Sequence, residues 1–163
     1  MLKLNLIKNN DRESSQITFN DIIINSDLTF IDDPNKLMEA LTDILTQNKS
    51  SVVCNICDDY ESSIFVFISN VWEEKAIIIK DKYVNSELDE SIVFAGQVNI
   101  KNIAKSFLNS DLLEYIESLN NTEQKELYKS LKSNYDALKK AVENSSTIYE
   151  REMKRIENSK KKK

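Results

Sequence analysis

The sequence predicts an α+β fold: a mainly antiparallel sheet packed by helices on one face, then a C-terminal helix, long or broken, carrying a partial heptad repeat. Three observations predict it. Between Ser51 and Ile79 the segments SVVCNIC, SSIFVFIS and EKAIIIK follow one another with short polar breaks, the β-branched alternation of strands. Residues 33–48 and 99–119 carry apolar side chains at helical spacing. From Asn121 onward Tyr128, Tyr135, Val142, Tyr149 and Ile156 recur at intervals of seven, with Leu131 and Leu138 between them.

Taken in order, Leu2, Leu4 and Leu6 alternate with polar residues, a half-buried first strand ended at Lys8-Asn9-Asn10-Asp11. Residues 17–24 and 28–31 are β-prone pieces that either extend the central sheet or form a smaller ribbon beside it. Asp33 is placed to cap a helix with Pro34 at its first position, where the missing N–H costs nothing. Leu37, Met38, Leu41, Ile44 and Leu45 give that helix an apolar stripe, which needs the following sheet as cover. Val52, Cys54 and Ile56 share one strand face, and Ile64, Val66 and Ile68 share one face of the next. The polar interval Asp58 to Glu61 makes the pair an antiparallel hairpin. Phe65 and Phe67 make the second strand apolar on its other face as well, which predicts a central strand with helices on one side and partial cover on the other. Ala76–Ile79 and Ile92–Ala95 read as further strands, and residues 83–91 as a polar, acidic connection. Gly96, the only glycine, is expected where the backbone needs a conformation that side chains resist. Asn99 caps one helix and Ser110 a second, shorter one.

The chain is expected to be one acidic body, residues 1–120, with a basic helical tail, 121–163. The body carries 10 basic against 20 acidic side chains, the tail 12 against 7. In the tail, Asn121 and Gln124 resemble a capping box, and an unbroken helix over 122–158 would span about 55 Å at 1.5 Å per residue. That is longer than a small domain, so the far half must bend back, pair with another chain as a homodimer, or stand in solvent. Asn144-Ser145-Ser146 is the expected break, with Thr147 and Glu150 capping a fresh helix.

Composition bounds the function. With 163 residues, 30% of them charged, the chain suits one soluble domain. It shows no membrane-length apolar run and no signal-peptide pattern at its start, the reading of a cytoplasmic protein. Histidine is absent, which removes Ser-His and Cys-His nucleophiles, and no glycine-rich phosphate loop is present. Cys54-Asn55-Ile56-Cys57 has a redox spacing, but both thiols fall inside a predicted strand on opposite faces, and zinc would need two further ligands. They read as packing residues, with no metal and no cofactor expected. The basic tail is interspersed with glutamates, the pattern of i,i+4 pairs on a solvated helix, which argues against nucleic-acid binding.

What remains is an acidic body with aromatic residues inside acidic loops, suited to a basic protein partner. The candidate contact residues are Asp58, Asp59, Tyr60, Glu61, Trp72, Glu73 and Glu74, with no catalytic residue among them. The sequence thus points to a small binding protein that neutralises a basic toxin or nuclease, an immunity or inhibitor protein of a bacterial or phage conflict system. An oligomerising module using residues 122–158 is the second reading. A carboxylate-dependent metal enzyme, using clusters such as Glu87, Asp89 and Glu90, is the third.

Overall fold

The computed structural model describes residues 1–9, 12–25, 33–57, 61–121 and 123–162. It has the expected α+β architecture, with two antiparallel sheets in place of one. β1 (Leu2–Asn9), β2 (Arg12–Phe19) and β3 (Ile22–Asn25) form a three-stranded sheet, which is the smaller ribbon. Its second turn, at Asn20-Asp21, uses a left-handed Asn20 with φ 52°, a conformation asparagine tolerates; the turn divides what the sequence suggested was one strand. Residues 28–31 lie outside the described segments.

β4 (Ser51–Cys57), β5 (Glu61–Ser69), β6 (Glu74–Val84) and β7 (Glu87–Gln97) form the second sheet in chain order. β5 is central, as its two apolar faces require. The phenylalanine face is the buried one: Phe65 and Phe67 join Val52, Cys54, Ile56, Ala76 and Ile78 in the core. Phe19 of the first sheet meets Phe94 and Phe65 edge-on, at centroid distances of 4.9 and 6.3 Å, so the sheets share one interior.

β6 and β7 are longer than the sequence suggested. Residues 83–91 are not a loose connection but the far half of a hairpin, closed at Asn85-Ser86 with φ 52° and 68°. Two consecutive left-handed residues make the type I′ geometry that matches strand twist. Replacing Ser86 by glycine relieves about 1 kcal/mol of left-handed strain, partly offset by backbone entropy. Ser86→Gly is expected to raise the unfolding free energy by about 0.5 kcal/mol in equilibrium denaturation. Gly96 does not have a positive φ; it is small because a Cβ there would lie 3.3 Å from the Phe94 ring. The expectation of a special backbone conformation is replaced by one of close packing.

α1 (Asp33–Thr46) buries Leu37, Met38, Leu41, Ile44 and Leu45 between β4 and the tail helix. α2 (Ile100–Leu108) is capped by Asn99, whose side chain accepts from Asn102 N–H at 2.7 Å. Ser110 does not cap α3 (Leu112–Ser118); it closes α2, donating to Phe107 C=O at 2.6 Å and accepting from Leu4 N–H at 3.1 Å. Asp111 accepts from Leu6 N–H at 2.9 Å, so the α2–α3 corner is riveted along the edge of β1.

α4 (Lys125–Asn144) begins with Gln124 as cap, without the side-chain box expected from Asn121. The division at residue 120 is one of charge and not of packing. Leu131, Leu138, Ala141 and Val142 belong to the same core as α1, because the heptad stripe is docked on α1 and α2. A polar seam runs beside it: Asn35, 4% exposed, donates to Ser130 Oγ at 3.0 Å and accepts from Asn134 at 3.0 Å. The break comes where expected. α5 (Ile148–Lys160) starts on a complete Thr147–Glu150 capping box and buries no residue of its own. Among the described residues no helix is long and apolar enough to cross a membrane.

Candidate functional site

The expected contact residues do not form one patch. Asp58, Asp59 and Tyr60 lie outside the described residues. Glu61 opens β5 and pairs with Lys80 and Lys82 at 3.5 and 3.4 Å. Trp72 and Glu73 sit beyond the other end of the same strand, roughly 26 Å away at 3.3 Å per residue.

At that far end Asn70 builds the loop. Its side-chain oxygen accepts from Trp72 N–H at 2.8 Å and Glu73 N–H at 3.0 Å, and its own N–H donates to Glu73 C=O at 3.1 Å. The closed ring leaves the Trp72 side chain in water, 85% exposed. Glu73 pairs with Lys75 at 3.2 Å.

Glu74 is withdrawn from any contact face, being 4% exposed. One carboxylate oxygen accepts from Ile100 N–H at 3.0 Å and the other from the Thr147 hydroxyl. It therefore ties β6 to the start of α2 and of α5. Burial pushes its carboxyl above the ordinary carboxylate range, against the two hydrogen bonds that lower it, and Glu150 adds to the rise. The alternation that sends Ala76 and Ile78 inward sends Glu74 inward too, a signal readable in the sequence.

The feature missed in the sequence is the tip of the β6–β7 hairpin. It projects past β5, whose first residue Glu61 is level with Lys82. On one side of the tip Tyr83 and Leu88 face each other across the ladder, 72% and 49% exposed, next to Asp81 and Glu90. On the other side Val84, Glu87 and Asp89 are exposed and share the side of Glu61. Glu61, Asp81, Glu87, Asp89 and Glu90 thus gather at one end of the sheet, against Lys80 and Lys82.

Away from the core, the outer face of the second sheet is half-buried along its two central strands and exposed at its edges. One row across the strands is Val53, Val66, Ile77 and Ala95; the next is Asn55, Ile64, Ile79 and Ile92. Val53 and Ile92, at the two edges, are 66% and 67% exposed.

A groove of about 650 Å³ between α1 and the edge of β4 is lined by Lys36, Glu39, Asp43 and Lys49, with Cys54 and Cys57 near it. Asp43 is paired with Lys49, and Lys36 with Asp33. Burial pushes the Cys54 thiol up to about 12, so it is protonated at neutral pH and a poor nucleophile. Cys57 lies on the opposite strand face, as the alternation predicts. Among the described residues, no group of three or more Cys, Asp or Glu side chains is arranged to hold a metal ion. No family model, no curated protein and no solved structure matches this chain.

Proposed function

We propose that this protein binds and neutralises a basic protein partner, such as a toxin or nuclease, in the manner of an immunity or inhibitor protein. One observation carries the reading: the hairpin tip holds Glu87 and Asp89 out in solvent beside Val84, on the same side as Glu61. Carboxylates on a projecting, turn-locked support steer a cationic surface and need little reordering on contact. Asp58, Asp59 and Tyr60 add acidic and aromatic character next to Glu61 in the sequence.

The reading is tested by reversing charge where the fold does not depend on it. Capture from the source cell with wild-type protein is expected to recover a basic protein, and Glu87→Lys with Asp89→Lys is expected to weaken that complex at least tenfold. Raising the salt concentration should slow association of the wild type. Recovery of no basic protein, or equal affinity for the reversed variant, refutes the proposal.

A further inference from the structure

The outer face of the β4–β7 sheet has a charge polarity that the acidic-tip reading does not use. Its two central rows are apolar apart from Asn55. Lys75 stands at one end of the face, level with Ile68 and Gln97, and Asp81 at the other, level with Ser62 and Glu90. Lys75 and Asp81 therefore sit three residues either side of Ile78 on β6, about 10 Å each way at 3.3 Å per residue. The pattern is plus, apolar, minus along the strand.

We propose that this face is an interface between two copies of the chain, packed face to face as a sheet sandwich. A two-fold axis lying between the sheets and crossing the strands at the level of Ile78 places Lys75 of each copy over Asp81 of the other. Ile77 and Ile79 then interdigitate at the centre. An isologous contact requires such self-complementarity; a uniformly basic partner would set like charge against Lys75, and an apolar helix would bury Asp81 and the Lys75–Glu73 pair with nothing charged across from them.

A further observation fits the same axis. The tip residue Tyr83 lies five positions beyond Ile78, and Glu73 lies five positions before it. Each copy's exposed Tyr83 and Leu88 are thereby set beside the other's Trp72 loop, and the two most exposed aromatics among the described residues acquire partners.

Strands of 7, 9, 11 and 11 residues, at about 3.3 Å per residue and about 4.8 Å spacing, make a footprint of about 600 Å² per copy. A pair then buries about 1,200 Å², the lower end of specific, stable interfaces. Glu87 and Asp89 lie on the other side of the sheet, so both acidic tips stay open at opposite ends of the dimer.

Light scattering on the full chain after size exclusion, across the micromolar range, is expected to give twice the chain mass. Val53→Lys with Ile92→Lys changes only exposed edge positions, so circular dichroism should be unaltered while dissociation strengthens at least a hundredfold. Lys75→Glu should weaken the dimer about tenfold, and Lys75→Glu with Asp81→Lys in the same chain should restore it. A wild-type monomer throughout overturns the proposal. So does a dimer indifferent to Val53→Lys with Ile92→Lys, or one lost on removal of residues 153–163 alone.

Discussion

A chain ended at Asn121 is expected not to fold, giving no cooperative thermal transition by circular dichroism. The basic tail looks dispensable from its composition, but α4 closes the core. Leu131 and Leu138 are fully buried and Val142 is 8% exposed. At about 2 kcal/mol each, those three side chains contribute about 6 kcal/mol, comparable to the 5–15 kcal/mol that holds a small domain together. Their removal also strips cover from the apolar stripe of α1. Ending the chain after Glu152 tests the converse. It keeps Thr147, Tyr149 and the Arg151 contact with Asn48 and, among the described residues, removes only exposed positions, so the melting temperature should fall by less than about 3 °C.

The second large effect belongs to Glu74. Glu74→Ala leaves the Ile100 N–H and the buried Thr147 hydroxyl without their shared acceptor, and unfolding free energy is expected to drop by about 3 kcal/mol. Glu74→Gln retains an oxygen for Ile100 and an N–H₂ that can donate to Thr147, so its cost should be under about 1 kcal/mol. The two variants also differ from wild type in pH dependence. In the unfolded chain Glu74 ionises in the ordinary carboxylate range, whereas in the folded chain burial delays ionisation to higher pH. Between those two points the folded state binds more protons, so the contribution of Glu74 to stability falls as pH rises through the interval and is level above it. Chemical denaturation across mildly acidic pH should show this decline in the wild type and a flatter profile in Glu74→Gln. An unchanged slope in the glutamine variant would assign the titration to another group.

Where side chains meet a core, the sequence was a good guide. The alternation of Val52, Cys54 and Ile56, the stripe of α1 and the Thr147–Glu150 box each encode their element locally, and each is found in place. Where an element is held by its neighbours or by nothing, the local signal is weak. Residues 83–91 are charged because the hairpin tip projects beyond the packed layer, and a strand with no core to face does not alternate strongly. Its turn, Asn85-Ser86, lacks the glycine that usually marks such geometry. Asn121 and Gln124 show the opposite failure, a capping pattern the helix does not use. The candidate site was legible as chemistry and not as geometry. Acidic pairs and aromatics are visible in the residue order, but only the strand register shows that Trp72 and Glu61 are a strand length apart.

The amide seam between α1 and α4 has a consequence for uniqueness. An apolar stripe repeating every seven residues fits its groove nearly as well after sliding by two turns, since Leu138 could take the seat of Leu131. Asn35 cannot follow, because it meets Ser130 and Asn134 together in a single setting of the two helices. A leucine in its place would tighten the contact and loosen the choice, so the amide contributes a unique alignment at some cost in adhesion.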